Sequence, residues 1–172
     1  GEEINLLSNG GSIGYKLSEW SMFERYVEFR NQVPMDIIHS EFNLISPILG
    51  YAGTIDRVAT INGKNILIDI KTSGSVYDHY WLQLAAYKKL LSEHYGSDTV
   101  IDGVAILWLN SKTRTAGKKD QIQGKGWQLI IREPGMEAND MDLFECTRKL
   151  WLAQNGDMQP RLQTYSLTHK IN

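Results

Sequence analysis

Apolar and polar positions alternate with two different periods along the chain, and the changes of period mark its elements. Between Lys16 and Gln32, Trp20, Phe23, Tyr26 and Val27 recur at helical spacing. Ser18, Ser21 and Glu24 are capping candidates there, and Pro34 closes the helix. Over residues 36–45 the period falls to two, with Ile38, Phe42 and Leu44 alternating with His39, Glu41 and Asn43, the pattern of a half-buried strand. Two more strands, 51–61 and 64–71, flank Asn62-Gly63, a dipeptide suited to a type I′ hairpin because that turn needs positive φ at both positions. Thr72 to Ser75 reads as a turn. Residues 77–95 place Tyr80, Leu84, Tyr87 and Leu91 on one helical face, ended by Gly96. Residues 99–109 read as a buried strand, 127–132 as its partner and 138–154 as a last helix. Residues 1–14, with Asn9-Gly10-Gly11, read as a loose lead-in, and 155–172 as a Pro-interrupted tail. The order is helix, three strands, helix, two strands, helix. It predicts one α/β domain over residues 1–172, a central mixed sheet of about five strands flanked by helices.

Composition narrows this picture in a few places. The chain has 172 residues, 42% hydrophobic and 22% charged, a balance that supports one core and excludes disorder. Five Trp and eight Tyr read mainly as core. A net charge of −2 removes any overall basic field, so contact with nucleic acid would need a local patch or a metal. Cys146, the single cysteine, excludes an intramolecular disulfide and a cysteine-held zinc or iron–sulfur site. Its place in an amphipathic stretch predicts a buried small apolar residue. The sequence has neither a long apolar run nor a signal peptide, so no membrane partner is expected and a cytoplasmic setting is. Between Ser111 and Gly126, Lys112, Arg114, Lys118, Lys119 and Lys125 face only Asp120. That segment reads either as a solvated hairpin or as a basic arm on phosphates. Trp127 beside it either stacks a base or joins the core.

The chemistry concentrates on the hairpin. Leu67, Asp69 and Lys71 share one face of their strand, so a carboxylate and an ammonium project side by side. If Asn62 and Gly63 are the loop, Asp56 lies directly opposite Asp69, with side chains about 5 Å apart. Like charges so placed repel, and the remedies are a raised pKa on one of them or a bound cation. An all-oxygen donor set favours Mg²⁺ or Mn²⁺. Glu41, on the polar face of the preceding strand with His39, is the candidate third carboxylate. A lone strand Asp beside Lys would read as a local ion pair. Arg57 points to the opposite face and reads as structural.

Glu41, Gly53-Thr-Ile-Asp56, Ile68-Asp69-Ile-Lys71-Thr72 and Gln83-Leu-Ala-Ala-Tyr87, in that order and spacing, resemble the PD-(D/E)xK nuclease superfamily. Within it they are most similar to the RecB-like branch that includes phage and mitochondrial exonucleases. The resemblance covers roughly residues 36–92 and implies a restriction-endonuclease-like core. It implies that Glu41, Asp56, Asp69 and the backbone carbonyl of Ile70 bind the metal, and that Lys71 positions water and stabilises charge. Gln83 and Tyr87 would orient Lys71 or contact DNA, and Thr72 and Ser73 are further nucleic-acid candidates beside Lys112, Arg114, Lys118 and Lys119.

The implied activity is metal-dependent DNA hydrolysis of exonuclease type, in recombination, repair or replication, within a bacterial or phage-infected cell. Two alternatives stay open: a restriction-type endonuclease, and a weak or inactive DNA-binding or assembly module. The chain departs from its relatives in one respect. Members of this branch commonly carry a histidine on the N-terminal helix, and residues 16–32 have none. His39 is either a substitute or a partly exposed strand residue. Relatives with an iron–sulfur cluster are excluded as a subtype by the single cysteine.

Overall fold

The computed structural model describes residues 3–8, 11–96, 99–114 and 122–156, though not the side chains of 3–13, 15 and 111–125. The N-terminal segment is not a loose lead-in. β1 (Glu3–Ser8) and β2 (Gly11–Lys16) pair antiparallel, Glu3 against Lys16 through Ser8 against Gly11. The signal was Asn9-Gly10, the same dipeptide class that marks the second hairpin; Asn9 and Gly10 themselves lie outside the described residues. α1 (Leu17–Gln32) follows directly. Its N-cap is Lys16, whose backbone N–H donates to Glu19 Oε2 at 3.0 Å, so none of the three candidate caps is used.

β3 (Asp36–Ser46), β4 (Tyr51–Ile61) and β5 (Lys64–Lys71) come next, and Asn62 (φ 51°) and Gly63 (φ 76°) make the expected turn. Ile61 pairs with Lys64, and the same register runs to Arg57 against Ile68. After α2 (His79–Tyr95) come β6 (Gly103–Arg114), β7 (Ile122–Ile131) and α3 (Met136–Gln154). The large sheet is open, in the order β3-β4-β5-β6-β7, with β5 and β6 parallel and every other pair antiparallel. The parallel pair requires a crossover, which α2 supplies. No helix among the described residues is long and apolar enough to cross a membrane.

Two cores follow from strand alternation. On one face Phe29 of α1, with Tyr26 and Met22, covers Ala59, Ile66, Ile68, Ala105 and Leu107. Trp127 belongs to this core, its ring edge-on to Phe29 at 5.1 Å. On the other face Trp81, Leu84, Leu90 and Leu91 of α2 cover Ile55, Val58, Leu67, Val104 and Ile106.

α3 lies against α2, joined by Lys88 to Glu137 at 2.6 Å. A two-pronged pair fixes it further: Arg132 Nε and Nη2 meet Asp140 Oδ2 and Oδ1 at 2.7 and 2.6 Å. The Arg132 guanidinium also sits over the Trp81 ring, 4.8 Å from its centre. Asp140 is the buried residue of α3, and its carboxylate pushes the Arg132 pKa up. Cys146, expected to be buried, is exposed, because Met141, Phe144 and Arg148 occupy the inward side of the helix.

Removing one member of a buried, two-pronged ion pair strands the other. Asp140→Asn should therefore lower unfolding free energy by about 3 kcal/mol, read as a shift of the urea midpoint at unchanged slope.

Candidate active site

The third and fourth strands change phase at the same place. In β4, Arg57 reaches the hydroxyl of Tyr26 on α1, while Ile55 lies in the core under α2. In a regular strand these two residues would share a face. The backbone is therefore turned at Asp56, and its carboxylate points across to β5, where Oδ2 accepts the Ile70 N–H at 2.7 Å. The described β4–β5 ladder stops one step short, at Arg57 and Ile68, so the next opposed positions are Asp56 and Asp69. In effect a carboxylate replaces a ladder hydrogen bond.

The partner strand turns too. β3 first bulges at Ile38, between the pairs Ile37–Ala59 and His39–Val58. Ser40 then accompanies Arg57, whose guanidinium donates to its hydroxyl at 3.2 Å, whereas Phe42 packs under α2. Glu41 sits between them at φ 50°, a left-handed conformation that is uncommon for a residue with a Cβ and costs of order 1 kcal/mol. The register on either side places it across from Asp56.

Asp69 lies on the α2 face with Leu67, as alternation predicts, and is 3% exposed. Lys71 Nζ stands 2.7 Å from its Oδ2, an ion pair that puts the ammonium directly on the buried carboxylate. Burial pushes the Asp69 carboxyl up; Lys71 pulls it down, and the nearby Asp56 charge pushes it up again. Lys71 Nζ also donates to Gln83 Oε1 at 3.1 Å, and Gln83 Nε2 donates to the Tyr87 hydroxyl at 2.8 Å. Gln83 and Tyr87 are one turn apart on α2, so one helix face presents both. The Tyr87 ring rests on Gly53, where a Cβ would meet Tyr87 Cε1 at 2.2 Å.

Two neighbours were not visible as site residues in the sequence. Tyr80 lies one turn before Gln83 and places its ring under the ammonium, 4.5 Å from Nζ. Trp108, beside Lys71 in β6, donates from Nε1 to the Ser73 carbonyl at 2.7 Å and fixes the turn after β5. The signal for Tyr80 was its helical spacing to Gln83, but the same spacing also reads as core.

The structure thus gathers Asp56, Asp69, Lys71, Ile70, Gln83 and Tyr87. Glu41 adjoins them in register but is exposed, and no three of His, Cys, Asp and Glu stand together at metal-holding spacing among the described residues. Glu41 and His39 do not share a regular strand face as the alternation predicted, because of the phase change. The His39 ring stacks on Phe42 at 4.3 Å and meets the Tyr95 hydroxyl at the end of α2. Thr72 is exposed, and the Ser73 hydroxyl is taken up by the Ser75 carbonyl at 2.6 Å. Lys112 and Arg114 lie in β6 by their backbone, with side chains outside the described residues. Lys118 and Lys119 lie outside them altogether, as do residues 157–172 of the expected tail.

No family model and no curated protein matches the chain. Among solved structures, the protein SSO0001 aligns at 20% identity over 85% of this chain and 70% of its own, with a TM-score of 0.32.

The Gly53–Tyr87 contact leaves no room for a side chain. Gly53→Ala should destabilise the fold by about 1–3 kcal/mol, measured by thermal or urea unfolding. The raised Asp69 pKa sets a sign for pH dependence. The folded state holds that proton more tightly than the unfolded chain, whose carboxyl titrates near 3.8. Its contribution to stability therefore falls as pH rises from there through the raised folded value, then stays level. Melting temperatures of the wild type and Asp69→Asn, followed across acidic pH, should diverge in that window.

Proposed function

We propose that the chain is a metal-dependent DNA nuclease of exonuclease type, using Asp56, Asp69 and Lys71, with Glu41 as an adjoining carboxylate. One arrangement carries the reading. A buried carboxylate, Asp69, is opposed by a second one, Asp56, and among the described residues one ammonium, Lys71, offsets the two. With two carboxylates against one ammonium, such a site is short of positive charge. The residues present fit a hard divalent cation: the Asp56 and Asp69 carboxylates lie close enough for their charges to repel, and both offer oxygen. Asp56, Asp69 and the Ile70 carbonyl would hold Mg²⁺ or Mn²⁺. When bound, the ion would supply Lewis acidity and activation of water for phosphodiester hydrolysis.

The chain's own groups have separate tasks. Asp56 accepts the Ile70 N–H, which ties β4 to β5 beside Asp69. Lys71 offers an ammonium already set in place by Asp69, Gln83 and the Tyr80 ring, so little reorganisation accompanies charge developing on phosphate. Gln83 holds Lys71, and Tyr87 holds Gln83. The choice of DNA, and a place in recombination, repair or replication, rests on the resemblance of the four motifs to RecB-like nucleases.

Linear and circular DNA incubated with Mg²⁺, Mn²⁺ or EDTA test the reading. Metal-dependent loss of linear DNA alone is expected. Lys71→Ala should lower the rate roughly 10²–10³-fold and Asp69→Ala abolish it, while Gln83→Ala, which loses one hydrogen bond, should cost roughly 3–10-fold. Cutting of circular DNA would make the enzyme a restriction-type endonuclease. DNA binding without degradation under every metal condition would leave a non-catalytic binding module.

A further inference from the structure

On α3, Met136, Leu143 and Leu150 recur every seven residues, and Asn139, Cys146 and Ala153 fill the intervening positions of the same stripe. All six are exposed: Met136, Leu143 and Leu150 at 41, 48 and 60%, Cys146, Asn139 and Ala153 likewise. The stripe lies opposite the side that Met141, Phe144 and Arg148 turn inward. A strict seven-residue apolar seam is the signature of a helix that packs against another helix. Over 19 residues it is about 28 Å long, so it suits a modest interface rather than a permanent one.

Charge identifies the partner. Asp142 and Lys149, both exposed, flank the seam on one edge at equivalent heptad positions. If two copies pack antiparallel about an axis near residue 145, Asp142 of each faces Lys149 of the other, giving two symmetric opposite-charge pairs. Leu143 then meets the Cys146 of the second copy, and Met136 meets its Ala153. A parallel pair would instead set Asp142 against Thr147 and Lys149 against Gln154, with no charge matched. We infer that α3 is a self-association surface, through which two copies of this chain pair antiparallel along the Met136–Leu143–Leu150 seam, with Cys146 next to the twofold axis. The isologous geometry closes the pair at two.

Sedimentation velocity of the full chain from about 1 µM to about 1 mM should show a monomer–dimer equilibrium. A short bismaleimide should link Cys146 to Cys146 in the concentrated protein. Asp142→Lys alone, or Lys149→Asp alone, should weaken the dimer roughly five- to tenfold by making two like-charge contacts. The double variant Asp142→Lys/Lys149→Asp should restore it, as only the antiparallel pairing requires. Leu143→Asp/Leu150→Asp, on a solvent-facing stripe, should leave a folded monomer by circular dichroism. A monomer at every concentration would overturn the proposal, as would a dimer indifferent to the single charge reversals, or one not rescued by the double reversal.

Discussion

A carboxylate that is 3% exposed has lost most of its hydration, and the fold must answer that cost locally. Asp69 receives one counter-charge, the Lys71 ammonium at 2.7 Å, and a second carboxylate, Asp56, stands close enough to push its pKa up. Much of the centre of the structure serves this imbalance. The sheet supplies rigid strands so that Asp69 and Lys71 project together, and α2 crosses over them with Gln83 and Tyr80 aimed at the lysine. Had these groups been placed on loops, the ammonium would give up its position to water.

The simultaneous turn of β3 and β4 explains how the second carboxylate reaches the site. A regular β4 would continue its ladder with β5 past Arg57 and stack Asp56 squarely against Asp69. Rotation at Asp56 instead sends its carboxylate to the Ile70 N–H. The backbone donor is satisfied, and the charge stays beside Asp69. Glu41 bears the strain of the matching turn in β3, at φ 50°. Strain of this kind persists only where the surroundings over-determine it. Here Phe42 under α2 on one side and the Ser40–Arg57–Tyr26 chain toward α1 on the other supply that constraint.

The helices divide the work. α1 and α2 close the two faces of the sheet, and α2 touches the charged cluster through the Gly53–Tyr87 contact and the Gln83 relay. α3 stands one layer further out, tied down by Arg132 and Lys88. Its outer stripe leaves Met136, Leu143 and Leu150 exposed and outside both cores of the sheet.

Strand periodicity and the Asn62-Gly63 turn determined the hairpin register, the shared face of Leu67, Asp69 and Lys71, and the opposite face of Arg57, because a two-residue loop and a two-residue repeat leave one solution. Helical spacing likewise joined Gln83 to Tyr87. The first hairpin was legible in Asn9-Gly10 but carried too little apolar pattern beside it to be read. What only the tertiary structure decided was everything that depends on the phase of one strand against another. The left-handed Glu41 breaks the alternation that had put Glu41 with His39. No local sequence rule announces such a break, since it is imposed by packing on both faces at once. Cys146 shows the same limit: an amphipathic pattern tells which residues share a helix face, but only the neighbouring helix decides which face is inside.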